Sequence, residues 1–230
     1  MSEMRTVLLV GASGLLGTQV LEEALGRTDM RVIALGRREF PLPLGGRSQL
    51  VLCEPSRWGE AIADIAPDAM ACALGAPVHL ASRNEEEFRS VDLDLVVATA
   101  RAAREANVPQ WIQVSAAGAN RLLPDDPYLQ IKGEADEALI KMRFQRLDIL
   151  QPGTLRGRRR SGGGLSGLAR PVIDLLRKGA RPQAGSIEAR EVARGILQLA
   201  REKAPGRFIH DNEAIYRAAR RLPALEDEDS

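Results

Sequence analysis

Directly after its first apolar run, Thr6–Val10, the chain reads Gly11-Ala-Ser-Gly-Leu-Leu-Gly17 and passes into a helical pattern that extends to about Leu25. Glycines at this spacing permit a tight turn, a close approach of the backbone to a ligand, and close packing of helix on strand. The helix N-terminus then offers N–H groups and partial positive charge to phosphates. A turn of this kind between the first strand and the first helix predicts a dinucleotide site, with Gly11, Ser13, Gly14, Leu15, Leu16 and Gly17 around the pyrophosphate.

The same alternation runs almost to the end. Strands are predicted at Arg31–Leu35, Gln49–Cys53, Ala69–Leu74, Gln110–Ser115 and Leu147–Gln151, with a short one at Arg207–His210. Helical spacing marks Trp58–Ile65, Glu85–Ala106, Tyr128–Met142, Pro171–Arg177 and Glu188–Arg201. This order implies an α/β fold: a doubly wound, mainly parallel Rossmann-fold sheet with helices on both faces. Hydrophobic residues make up 44% and aromatics only 3%, which suits aliphatic strands under Ala- and Leu-rich helices. No repeat or linker divides the chain, so residues 1–230 are expected to form one domain. Its substrate-side elements begin near residue 151, and the acidic tail 225–230 is expected to fray.

The end of the second strand selects the cofactor. An NAD binder usually carries an acid there, roughly 20 residues past the turn, to hold the ribose 2′-hydroxyl. This chain has Leu35-Gly36-Arg37-Arg38. Guanidinium pairs with a 2′-phosphate through charge-assisted hydrogen bonds, so Arg37 and Arg38 predict NADP(H).

Ser115 ends the strand at the carboxyl edge, where open α/β sheets bind ligands. Tyr128 follows thirteen positions later and Lys132 four after that. The i, i+4 pair shares one helix face, so one ligand can meet both. Pro127 is suited to the first helical position, with Asp126 as its cap. A free tyrosine titrates near ~10; the Lys132 ammonium and the helix N-terminus stabilise its phenolate and lower that value. Tyr128 is then a candidate general acid toward a carbonyl oxygen, Ser115 a hydrogen-bond donor to that oxygen, and Lys132 a ligand of the nicotinamide ribose.

Other features bound the reading. A net charge of +1 indicates neither nucleic acid nor an acidic membrane surface. No apolar run reaches the ~20 residues of a membrane span, and the N-terminus lacks the pattern of a secretory signal. A cytoplasmic protein is expected. Cys53 and Cys72 lie in apolar runs with no metal-binding spacing and read as buried reduced thiols; no metal is expected. Trp58 and Trp111 read as packing residues, and His79 and His210 as loop or strand-end residues. The basic stretch Arg156–Gly167 reads equally as a solvated loop or as a lid.

The stretches GASGLLG, LGRR, ALGAP, FRSVDLDLV, VSAAGA, YLQIKGEADEAL, LDILQPGTLRGRR and IHDNEAI together resemble the atypical branch of the short-chain dehydrogenase/reductase superfamily, related to the human Tat-interacting-protein oxidoreductase. The resemblance implies NADPH in an extended crevice. Ala73, Leu74 and Gly75 would line its adenine and ribose side, and Pro152, Gly153, Thr154 and Leu155 would pass beside the nicotinamide. Val114, Tyr128 and Lys132 would complete the cofactor contacts, and Ser115, Tyr128 and Lys132 match the catalytic positions. Two departures stand out: Gln151 where the family usually has Arg before Pro-Gly, and Cys53-Glu54 in place of the usual acid after strand three.

The expected function is therefore an NADP(H)-dependent reductase of a small carbonyl-type substrate, with no nucleic-acid or membrane partner and a helix-mediated homodimer as the natural assembly. A cofactor-sensing regulator with little turnover uses the same residues. Sugar-nucleotide epimerase or dehydratase chemistry would need a larger substrate region than follows Gln151.

Overall fold

The structure is a computed structural model and describes residues 4–43, 48–157 and 185–225. The elements run β1 (Arg5–Val10), α1 (Leu15–Glu23), β2 (Met30–Gly36), β3 (Gln49–Leu52), α2 (Trp58–Ile65) and β4 (Ala69–Cys72). Then come α3 (Leu80–Arg83), α4 (Glu85–Arg89), a π-helical turn (Ser90–Leu95), α5 (Val96–Glu105), β5 (Gln110–Val114) and α6 (Pro127–Lys141). They are followed by β6 (Arg146–Leu150), β7 (Thr154–Arg156), β8 (Ser186–Glu188), α7 (Ala189–Leu199), β9 (Gly206–His210) and α8 (Asn212–Arg221).

Seven strands form one sheet in the order β3-β2-β1-β4-β5-β6-β9, and every pairing in it is parallel. β7 and β8 make a separate parallel pair. Alternate residues of a strand point to opposite faces. Val7 and Leu9 thus enter one core with Val192 and Ile196 of α7 and Ile215 of α8. Leu8 and Val10 enter the other with Ile62 of α2, Val96 of α5 and Leu139 of α6. The expected doubly wound sheet with helices on both faces is what the chain forms.

Several elements differ from the sequence reading, among them the parallel pair β7–β8 and the short helix α3, which it did not predict. The single helix expected over Glu85–Ala106 is interrupted by the π turn, which turns Asp92 into the protein interior. The helix α8 was not anticipated, although Asp211 caps it by accepting from the Ala214 amide and Ile215, Ala218 and Ala219 form its buried stripe. Three arginines and a glutamate within Asn212–Arg221 mask that stripe. The helix expected at Pro171–Arg177, most of the Arg156–Gly167 stretch and nearly all of the acidic tail lie outside the described residues.

Candidate active site

The sheet order reverses between β1 and β4, and an open α/β sheet binds ligands in the crevice outside such a switch point. Both flanks carry expected cofactor residues. Gly11 has φ +80°, and a Cβ there would stand 2.4 Å from the Ala73 carbonyl carbon and oxygen. Gly17, in the first turn of α1, would place a Cβ 2.3 Å from the Gly11 carbonyl oxygen. Only hydrogen fits at either position, so the turn lies flat against the loop that begins at Ala73. No side chain caps the N-terminus of α1, which leaves its first-turn amides facing the crevice. Ala73 and Leu74 are half-buried, while Gly75 and Ser13 are exposed.

Arg37 and Arg38 follow β2, one strand to the side of the switch point. Both are exposed, and among the described residues neither forms an ion pair. On the other side, the carboxyl ends of β5 and β6 are tied together: the Ser115 amide donates to Leu150 at 2.8 Å and the Ala117 amide to Pro152 at 2.9 Å. The Gly153 amide donates to Asn212 Oδ1 at 2.9 Å. Thr154 and Leu155 belong to β7, and a Cβ on the next loop residue, Gly157, would meet Leu15 Cδ1 at 3.2 Å. The chain beyond β6 thus returns to the start of α1. From β2 to β6 the crevice crosses four strand spacings, about 19 Å. An open cradle at a helix N-terminus with exposed guanidinium groups at one end fits a phosphate-bearing dinucleotide.

One face of α6 organises the rest. Asp126 caps it through the Leu129 amide at 3.2 Å, and Pro127 begins it, as expected. Tyr128, Lys132 and Asp136 then recur every fourth residue. Tyr128 is half-buried, its ring tilted against Phe88 at 5.7 Å between centroids. Lys132 is buried, and its Nζ lies 2.7 Å from Asp92 Oδ1. Burial opposes the Lys132 charge, but the carboxylate of Asp92 and the neighbouring Tyr128 more than offset that and hold the ammonium above the ordinary lysine range. The other oxygen of Asp92 accepts from the Ala76 amide at 2.8 Å, joining the loop after β4 to α6.

Ser115 is also buried, and its Oγ donates to Asp136 Oδ2 at 2.7 Å. Gln151 Nε2 donates to the same oxygen at 3.1 Å, a neutral contact at the position where the resemblance implied an arginine. Burial pushes the Asp136 carboxyl up to about 6, restrained by the bonds from Ser115 and Gln151 and by the charge of Lys132. Chemically, the arrangement offers a phenol beside a permanently charged ammonium, and a hydroxyl whose orientation depends on a carboxyl group.

Asp92 and Asp136 escaped the reading of the sequence. Asp136 continues the four-residue series of Tyr128 and Lys132, a signal that could have found it. Asp92 has no comparable signal, because its partners come from α6 and the loop after β4. Among the remaining residues, Trp58 and Trp111 are buried packing residues, and His79 is exposed. His210 is not a simple strand-end residue: its Nε2 lies 2.9 Å from the buried Asp148. Cys72 is buried, which pushes its thiol up to about 12; Cys53 is only half-buried.

Comparison with known proteins agrees with this geometry. A family model described as NAD(P)H-binding matches residues 11–203. The mitochondrial protein FMP52 of Lodderomyces elongisporus is 29% identical over 215 residues, covering 88% of this chain and 90% of its own. FMP52 of Eremothecium gossypii is 35% identical over 156 residues, 66% of this chain and 67% of its own. These relatives are named as mitochondrial, which overturns the cytoplasmic expectation: the absence of a secretory pattern does not specify a compartment. Among solved structures, MoeE5 in complex with UDP-glucuronic acid and NAD shares the fold at a TM-score of 0.68 and 16% identity, over 89% of this chain and 75% of that one. A Bacillus halodurans protein described as a candidate NAD-dependent epimerase/dehydratase does so at 0.66 and 22%, over 95% and 100%. With one family model running from the glycine turn past α7, this chain belongs to the NAD(P)H-binding family and has a Rossmann-like fold.

Proposed function

We propose that this protein is an NADP(H)-dependent reductase of a small carbonyl compound, of the atypical short-chain dehydrogenase type. The observation that carries the reading is the Tyr128–Lys132 face of α6, with Lys132 held charged by Asp92. A cation beside a phenol stabilises its ionised form and eases proton release to a substrate oxygen.

The glycine turn, the loop Ala73–Gly75 and the segment Pro152–Leu155 hold the cofactor, and Arg37 and Arg38 select its 2′-phosphate. Bound NADPH supplies the hydride. Tyr128 gives a proton to the carbonyl oxygen, Lys132 keeps the phenol acidic, and Ser115 meets the same oxygen as charge grows on it.

The test follows NADPH absorbance with wild type and Tyr128→Phe across aldehydes, ketones and quinones. The expected outcome is oxidation by wild type and a loss of about 100-fold or more in the variant, with cofactor affinity retained. Full turnover by Tyr128→Phe would remove Tyr128 from the mechanism. A second reading, cofactor binding without turnover, is favoured by one contact: Ser115 spends its hydrogen on Asp136. Confirmed NADPH binding with no oxidation of any carbonyl would support it.

A further inference from the structure

We propose that Asp136 is a positioning residue that sets the direction of the Ser115 hydroxyl, taking the Ser115 hydrogen as a carboxylate and returning one to Ser115 Oγ as a carboxylic acid. In the second state the Ser115 hydrogen is released toward the crevice, where it can be donated to a substrate oxygen. The proposal rests on the reading that Ser115 meets that oxygen.

The geometry allows both directions. An oxygen–oxygen distance of 2.7 Å accommodates a hydrogen bond whichever oxygen carries the hydrogen. Asp136 Oδ2 also accepts from Gln151, and a protonated Oδ2 keeps a lone pair for that bond. The other oxygen, Oδ1, is buried and accepts nothing among the described residues. A proton placed on Oδ1 would find no acceptor there, whereas one on Oδ2 finds Ser115 Oγ. Protonation at Oδ2 is therefore favoured by one buried hydrogen bond.

The charges around Asp136 do not hold it as an anion. Lys132, on the same helix face, is paired with Asp92 from the π turn. Arg121, from the loop after β5, is paired with Glu137. Gln151, after β6, is neutral. Burial pushes the carboxyl up to about 6, against the Ser115 and Gln151 hydrogen bonds and the Lys132 charge, which brings both directions of the Ser115 bond within reach. A cleft of about 240 Å³ between α6, the loop Ala119–Arg121 and the β6–β9 edge is lined by Asp136 and Gln151.

The sign follows directly. Lower pH protonates Asp136, frees the Ser115 hydrogen and speeds carbonyl reduction; higher pH removes that donor, a change worth about 100- to 1,000-fold for a donor at a developing oxyanion. Wild-type kcat is expected to fall by about that factor as the pH rises through the Asp136 titration. Asp136→Asn and Ser115→Ala should each lack this limb, and the double variant should behave as Ser115→Ala alone. A limb at the same pH in Asp136→Asn would overturn the proposal.

A second measurement is independent of turnover. The carboxyl of Asp136, followed by ¹³C NMR against pH, should titrate higher in Ser115→Ala, because the carboxylate loses a charge-assisted bond roughly twice as strong as the neutral bond the acid form loses. An unmoved midpoint would overturn the coupling. If wild type reduces no carbonyl at all, the reductase reading falls, and this titration alone decides whether Asp136 governs Ser115.

Discussion

Lys132 and Asp92 form a buried ion pair, Nζ to Oδ1 2.7 Å, that fastens the middle of α6 to the π-helical turn before α5. Because Asp92 also accepts from the Ala76 amide, one carboxylate joins the loop after β4, the π turn and the candidate catalytic helix. Removing one member of a buried pair leaves the other charge uncompensated, at a cost of about 3–5 kcal/mol. Asp92→Ala is expected to lose stability of that order in urea denaturation at pH 7 and to lower NADPH affinity. The Lys132 value is raised on folding, so the pair's contribution is complete below the ordinary lysine value and is lost only as pH climbs above it. Denaturation midpoints that match wild type would show that the pair contributes no net stability.

Cofactor preference should reside in the two exposed arginines after β2. Hydrogen bonds to a charged group contribute about 1.5–3 kcal/mol, which corresponds to roughly 10- to 100-fold in affinity. Arg37→Ala with Arg38→Ala is expected to weaken NADPH binding by that factor and leave NADH binding unchanged, as read by fluorescence titration. An equal loss for both cofactors would assign these arginines a structural role.

The glycines of the turn should differ in tolerance. Gly11→Ala would need a left-handed backbone at φ +80° and a Cβ 2.4 Å from the Ala73 carbonyl, whereas a Cβ on Gly14 meets only the Gly11 carbonyl at 3.3 Å. The left-handed conformation alone costs about 1–2 kcal/mol. Gly11→Ala is expected to abolish NADPH binding and lower the thermal midpoint, with a smaller effect for Gly14→Ala. Isothermal titration alongside thermal melts would separate the two; the opposite ranking would contradict the cradle as described.

Away from the crevice, Asp148 should govern acid stability. It is buried on β6 and accepts from Arg146 at 2.7 and 2.8 Å and from Gln110 at 2.9 Å, with His210 Nε2 also at 2.9 Å. Burial works against its charge, but the hydrogen bonds from His210, Arg146 and Gln110 outweigh it and hold the carboxyl below its ordinary value. A depressed carboxyl contributes stability above the unfolded aspartate value, near ~3.9, and loses it as pH falls through the folded value. Asp148→Asn is expected to cost about 3–5 kcal/mol at pH 7, because the buried Arg146 loses its buried carboxylate and keeps only the more exposed Glu202 as counter-charge. It should also flatten the acid limb of the stability curve. Urea unfolding from pH 7 to pH 3 measures both, and an unchanged acid limb would assign acid unfolding to other carboxyls.

The local code carried much of this protein. Apolar runs spaced by amphipathic stretches specify strands and helices through contacts within a few residues, so β1, the glycine turn, α1 and α6 could be read directly. The four-residue spacing of Tyr128 and Lys132 placed both on one helix face for the same reason, and Pro127 with Asp126 marked where that helix begins. What the chain could not reveal alone are partnerships between residues far apart along it. Asp92 meets Lys132 across 40 positions, Ser115 meets Asp136 across 21, and Gln151 reaches Asp136 from the next strand. Burial then decides the chemistry: in water these carboxyls would be ordinary acids, whereas the packed interior keeps Lys132 charged against Asp92 and lifts Asp136 toward neutrality, because a low-dielectric surrounding tolerates charge only where a partner compensates it.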